Sequence, residues 1–150
     1  MDRRSFMQTV LGTGALIAVL PRTGEAQALP QMTIYKSASC GCCHEWVKHV
    51  RSNGFTVKTI DTESLPTVKR ELGVPSQLES CHTVVVGNYL VEGHVPAADV
   101  KRILAEKPAI RGLAVPGMPI GAPGMEQGPP QRYTVYTFDA KGKATVYAKR

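Results

Sequence analysis

From residue 32 onward the apolar positions alternate between the spacing of strands and the spacing of helices. Residues 32–36 form a β-like run leading toward Cys40. Cys43, Trp46, Val47 and Val50 then recur at i, i+3, i+4 and i+7, one face of an amphipathic helix that Asn53-Gly54 stops. Residues 55–60 read as a second strand. Asp61 and Ser64 are available to cap a helix through Leu72, in which Pro66 is tolerable only in the first turn, and Gly73 with Pro75 closes it. Residues 83–86 and 89–91 flank Gly87-Asn88, which leaves room for little but a tight hairpin turn. Pro96 starts a helix with the stripe Val100, Ile103 and Leu104. Across residues 112–130 the pattern dissolves: ten of 19 positions are Gly or Pro, which reads as one long loop. Residues 133–138 and 144–147, around Asp139-Ala-Lys-Gly142, then read as a second hairpin, a C-terminal extension beyond the minimal fold. Before that loop the order is β-α-β-α-β-β-α.

The N-terminal stretch has a different character. Met1-Asp2-Arg3-Arg4-Ser5-Phe6-Met7 precedes an uncharged segment whose apolar centre, residues 10–20, is too short for a membrane span of about 20 residues. Ala26-Gln27-Ala28 supplies small residues at the spacing a signal peptidase reads. Paired arginines followed by x-Phe are similar to a twin-arginine export signal, although Asp2, Met7 and Gln8 depart from the common pattern and leave an ordinary secretory route open. The expectation is an export signal over residues 1–28 and one mature domain over 29–150, periplasmic and without stable membrane insertion after cleavage.

Removing that signal takes away Arg3, Arg4, Arg22, Asp2 and Glu25. The full chain's 18 basic and 12 acidic residues, net +6, become 15 and 10, net +5. The excess is spread over Lys69-Arg70, Lys101-Arg102 and Lys149-Arg150, a pattern expected of a solvated basic surface. No basic run interleaves with aromatics in the way that tracks a nucleic-acid backbone, so no nucleic-acid partner is expected.

The four cysteines sit in two places, Cys40-Gly41-Cys42-Cys43 and Cys81. A disulfide framework spreads its cysteines along the chain, whereas three thiols within four residues suit a soft metal or disulfide exchange. The β-α-β-α-β-β-α order, with C-x-x-C between the first strand and first helix, is that of a thioredoxin-like fold. There a helix N-terminus favours thiolate over thiol. The loop before the third strand, Glu79-Ser80-Cys81-His82-Thr83, would face the cysteines and bring Cys81 to the same site. Thioredoxins usually carry Gly-Pro inside C-x-x-C and a cis-proline in the facing loop. Here Gly41-Cys42 and Cys81-His82 replace them, adding soft ligands where an oxidoreductase keeps its dithiol bare.

The Gly/Pro loop holds Met118 and Met125, neutral sulfur donors that suit Cu(I) or, alternatively, plugs over the core. His94, in a loop before Pro96, is a candidate ligand. His82 neighbours Cys81, and adjacent strand residues point to opposite faces, so it is expected to face away and serve a structural hydrogen bond. His44 is placed to reach a metal or to cap. His49, beside Lys48 and on the way to Arg51, is expected in solvent.

Four motifs in order complete the pattern: Cys40-Gly-Cys-Cys43, Ser80-Cys-His-Thr83, Glu92-Gly-His-Val-Pro96, and Gly112-Leu-Ala-Val-Pro-Gly-Met-Pro119 with Pro123-Gly-Met125. With these the chain resembles a family of exported thioredoxin-like bacterial proteins linked to copper resistance, long described only as a metal-binding domain of unknown function. The resemblance covers nearly the whole mature chain. It implies a periplasmic Cu(I)-binding protein with a suspected redox role, whose cysteines Cys40, Cys42, Cys43 and Cys81 hold copper, with several ions bridged by thiolates as one arrangement. His94, Met118 and Met125 map onto its His and Met motifs. A periplasmic copper donor, acceptor or efflux protein is the partner it suggests.

The donor chemistry agrees. Four thiolates around zinc prefer paired C-x₂₋₄-C spacings, and C-x-C-C crowds three donors too closely for a relaxed tetrahedron. Thiolates bridging several Cu(I) ions tolerate that crowding, and cysteine with methionine is a soft set. A thiol–disulfide oxidoreductase is the alternative that the fold and C-x-x-C permit. No Ser/His/Asp set, paired acid site or phosphate loop points to hydrolysis or group transfer. For export, replacing Arg3 and Arg4 by Lys should strand precursor in the cytoplasm, as read by fractionation and immunoblotting. Normal export of that variant would exclude the twin-arginine route.

Overall fold

Period-2 alternation in the strands splits their side chains between two apolar layers, one on each face of a single sheet. The computed structural model describes residues 28–150, so the expected export segment lies outside the described residues except for Ala28. The elements are β1 (Met32–Lys36), α1 (Gly41–Ser52), β2 (Val57–Asp61), α2 (Leu65–Leu72), a 3₁₀ turn (Ser76–Leu78), β3 (His82–Val86), β4 (Tyr89–Glu92), α3 (Ala97–Glu106), β5 (Gly112–Ala114), β6 (Thr134–Phe138) and β7 (Ala144–Lys149). They make a mixed α/β domain with one seven-stranded sheet, ordered β2-β1-β3-β4-β5-β6-β7. No helix among the described residues is long and apolar enough to cross a membrane.

Met32, Ile34, Val84, Val86, Val91, Leu113 and Val135 turn to one face. There they pack with Trp46, Val47 and Val50 of α1 and with Val100 and Ile103 of α3. The intervening positions Val85, Leu90, Ala114 and Phe138 turn to the other face, against Leu72, Val74 and Leu78. Strand β4 is buried along its whole length because both layers cover it. All four residues of the expected α1 stripe are buried, Cys43 among them, so the helix that fills the core also fixes the cysteine loop in place. Gly73 ends α2 in the left-handed conformation and Gly87 turns the β3–β4 hairpin, as the sequence suggests.

Three expectations need correction. Residues 112–114 are not loop: they form β5, parallel to β4 through the α3 crossover and antiparallel to β6. A three-residue strand opened by glycine, with Pro116 two residues past its end, carries too little alternation to be read from sequence. The second hairpin, an extension beyond the minimal fold, is consequently continuous with the main sheet and forms its edge. Asp61 does not cap α2; its carboxylate accepts from the buried Lys36 ammonium at 2.6 Å. Lys69 is not part of a solvated surface, since it is buried at the base of α2.

Gly112 is the point where β5 presses most closely on its neighbours. A Cβ there would lie 2.1 Å from the Leu90 carbonyl oxygen and 2.9 Å from the Phe138 ring. Gly112→Ala should therefore destabilise the protein by about 3 kcal/mol, the upper part of the usual overpacking cost. Urea unfolding checks this, and a change below about 1 kcal/mol would show that β5 can part from β4 without loss.

Candidate metal centre

The first turn of α1 presents the cysteines. Cys40 is the N-cap, and the i, i+3 spacing sets Cys40 and Cys43 on one side of the turn with Cα atoms 5.3 Å apart, where they form a disulfide. Cys43 is buried with Trp46 beneath it. Cys42 and Cys81 are free thiols. The Cys42 sulfur lies 3.6 Å from that of Cys40, 3.7 Å from that of Cys81 and 3.9 Å from Met118 Sδ. The expected return of the 79–83 loop to the cysteines is thus observed: the sulfurs of Cys40, Cys42, Cys43 and Cys81 all lie within 4.8 Å of one another.

Two histidines complete a second group around Cys81. His94 Nε2 is 3.0 Å and His82 Nδ1 3.3 Å from the Cys81 sulfur. His94 Nδ1 donates to the Pro123 carbonyl at 2.7 Å, which leaves Nε2 as the free lone pair facing Cys81. Burial holds the His94 pKa below the ordinary value and the His82 pKa well below it, His82 being depressed further by His94 and by the charge of Lys69. Burial, with Cys42 alongside, pushes the Cys81 thiol up to about 12. In the metal-free protein Cys81 is accordingly a thiol, and a metal ion displacing that proton would supply the charge that the pocket lacks.

His82 departs from the sequence expectation. Cys81 precedes β3, so strand alternation does not govern the pair, and the His82 ring lies inside, fully buried, 4.6 Å from the Trp46 ring and 5.1 Å from the His94 ring. Its Nε2 is buried and has no hydrogen-bond partner. His49 is half-buried, not solvated, and its Nε2 accepts from the Ala97 amide at the start of α3 at 3.0 Å. His44 stays exposed, 3.2 Å from the Ala38 carbonyl.

The Gly/Pro loop folds back over α1. Gly124, at φ +85°, approaches so closely that a Cβ would lie 2.8 Å from the Trp46 amide nitrogen and 3.0 Å from the Cys42 carbonyl. Met118 reaches the cysteines with its side chain about half exposed, at 53%. Met125 instead shapes the loop through its main chain, accepting from Gly121 N at 2.7 Å and donating to Ala122 O at 2.8 Å. A buried polar cluster that the sequence reading did not single out lies behind Cys81. There the Lys69 ammonium meets the Glu92 carboxylate and the Thr83 hydroxyl. Its one signal in sequence is a lysine four residues after Leu65 and three before Leu72, on the inward side of a short helix.

Comparison with known proteins places the chain. Residues 78–125 match the family described as a protein of unknown function, DUF411. That is the stretch bearing Cys81, both site histidines and the folded-back loop as far as Met125. Two solved structures of a copper resistance protein, copG, are similar across almost their whole length. Form 2 is 43% identical, with 83% of this chain and 99% of that one covered at a TM-score of 0.77. Form 1 is 44% identical, with 81% and 98% covered at 0.75. The chain belongs to this copper-resistance family. No protein of curated function matches it.

The residues present fit a soft metal. Among the described residues, the donor groups that converge contain only Cys and His, with a thioether beside them and an orphaned imidazole nitrogen within the cluster.

The buried histidines also set a pH dependence. A folded-state pKa held below the unfolded value of about 6.5 means that the unfolded chain binds more protons. The resulting stability is present above about pH 6.5 and is lost as pH falls toward the folded values. Metal-free protein should therefore lose stability between pH 7 and 5, with the neutral His82 contributing up to about 1.4 kcal/mol per pH unit. His82→Gln should flatten that slope in urea titrations. An unchanged slope would mean that His82 charges freely in the folded state.

Proposed function

We propose that the protein is a periplasmic copper-binding protein of thioredoxin-like fold, acting in copper resistance and taking Cu(I) as its cargo. The observation that carries this reading is the convergence of four cysteine sulfurs with His94 Nε2 and Met118 Sδ at the N-terminus of α1. Cys40, Cys42, Cys43 and Cys81 would hold the metal, His94 and Met118 would complete its shell, and Met125 of the same loop is a further candidate. The set is soft, which favours Cu(I) over harder ions, and its crowding suits thiolates shared between ions better than a single zinc tetrahedron. The thioredoxin-like reading rests on β1-α1-β2-α2-β3-β4-α3 and on the site's place between β1 and α1. Delivery to the periplasm rests on the N-terminal export pattern, and exchange with a periplasmic copper carrier or efflux protein follows from that location.

A second reading, thiol–disulfide oxidoreductase, draws on the Cys40–Cys43 disulfide across the first helical turn. The two readings meet in one requirement. That disulfide must take up two electrons before its sulfurs can serve as thiolate ligands, so copper loading and thiol redox state are linked. Cys81, held as a thiol by burial, is poorly suited to attack a disulfide; as a metal ligand it would bind as thiolate and release its proton to solvent.

Metal content and X-ray absorption of protein isolated from copper-supplemented periplasm test the proposal. Sulfur-dominated copper coordination is expected, and protein carrying zinc alone would overturn it. Cys81→Ser should lower copper stoichiometry or affinity sharply while leaving Cys40 and Cys43 able to cycle; unchanged copper content would count against a shared site. Met118→Leu should weaken Cu(I) retention against a competing chelator by about tenfold, while apo stability moves by less than about 1.5 kcal/mol. Met125→Leu should do less. A Met118→Leu protein that retains copper as the parent does would make the loop a lid and not a ligand source.

A further inference from the structure

The copper reading leaves unexplained why an ion pair is buried behind the site. Lys69 of α2 and Glu92 of β4 are 4% and 0% exposed, in a layer otherwise largely apolar. Both oxygens of the Glu92 carboxylate are engaged. Oε1 accepts from the Lys69 ammonium and from the Ser80 amide, the latter at 2.8 Å, and Oε2 accepts from the Thr83 hydroxyl at 2.6 Å. Lys69 also donates to Thr83 Oγ1 at 2.9 Å. Thr83 and Glu92 are direct partners in the β3–β4 ladder, so the pair sits where the two strands run out into loops.

Those loops carry the donors. Ser80 immediately precedes Cys81, and Glu92 stands two residues before His94. One carboxylate therefore ties the backbone of the Cys81 loop to the strand that delivers His94. The neighbouring contacts tighten the same joint. The Gly93 amide donates to the His82 carbonyl at 3.0 Å, and a Cβ on Gly93, at φ +74°, would come within 2.5 Å of Ser80 Cβ. The Ser80 hydroxyl donates to Gly117 O at 2.5 Å and the Gly117 amide to Glu79 O at 3.2 Å, fastening the loop of Met118 to the same segment. An apolar pair could fill this volume and is often as stable as a buried ion pair, but it could not accept the Ser80 N–H.

The geometry points to Glu92 as a positioning residue for copper, with Lys69 holding its charge inside the protein: through the Ser80 amide Glu92 sets the 3.0 Å approach of Cys81 to His94 without touching the metal. Such outer partners orient ligands, and losing them typically costs 10–100-fold in metal affinity. This inference rests on the copper reading of the site.

The test compares two double variants with the parent, by Cu(I) competition against a colorimetric chelator, X-ray absorption and urea unfolding of the metal-free protein. Lys69→Met with Glu92→Leu removes the acceptor but keeps the volume. It should stay folded, lose about tenfold or more in Cu(I) affinity, and lose the imidazole contribution to the copper absorption spectrum. Lys69→Met with Glu92→Gln keeps an amide oxygen for Ser80 N–H and should recover most of the affinity and that contribution. If the Leu pair does not fold, Lys69→Leu with Glu92→Val, smaller and β-branched, carries the same comparison. Parental affinity and spectrum in the acceptor-less variant would overturn the inference, as would equal losses in both variants. A parent that binds no copper would instead overturn the reading beneath it.

Discussion

The site depends first on one helical face. Cys43, Trp46, Val47 and Val50 share the inward stripe of α1, so the packing that anchors the helix to the sheet also sets the height and rotation of its N-terminus. Trp46 makes this rigid: it is fully buried and its indole N–H donates to the Val95 carbonyl at 2.9 Å, in the turn between His94 and α3. Burying a side chain of that size is worth several kcal/mol, comparable with much of a small domain's net stability. The cysteine turn therefore cannot shift without disturbing the core, and three sulfurs are held at close quarters by forces that have nothing to do with metal.

The other donors arrive on loops anchored to the sheet at one end or at both. Cys81 lies between the 3₁₀ turn and β3, His94 between β4 and α3, and Met118 between β5 and β6. Because β5 and β6 are hydrogen-bonded neighbours, the ends of the long Gly/Pro segment are pinned side by side, and such closure costs little more for a long loop than for a short one. Gly124 then lets that segment lie directly on the first turn of α1. The edge hairpin earns its place by this tether, since a free terminal extension could not hold Met118 over Cys42.

Electrostatically the centre is built from neutral groups. His82 and His94 are kept uncharged by burial, and Cys81 keeps its proton. A cation entering such a pocket exchanges with protons and meets lone pairs already aimed at one another, at little cost in reorganisation. The disulfide between Cys40 and Cys43 sets a second condition, since half of the thiolate set becomes available only on reduction. On the copper reading, metal occupancy would therefore exchange with both protons and electrons.

Much of this was legible in the residues themselves. Local rules sufficed for the α1 stripe, the Gly73 and Gly87 stops, the C-x-C-C cluster and the β-α-β-α-β-β-α order, because each is decided within one or two turns of chain. The return of Cys81 to the cluster followed from that order. Tertiary structure alone decided the rest. β5 is three residues long and is a strand only because β4 and β6 flank it. His82 turned inward because Cys81 lies before the strand, a boundary one residue from where alternation would have excluded the ring. Lys69 is written like any surface lysine, and only the buried carboxylate of Glu92, 23 residues away, keeps its charge inside the protein. Sequence determines which donors are available and which local turns present them; the distances between donors on separate loops are set by packing among residues far apart in the chain.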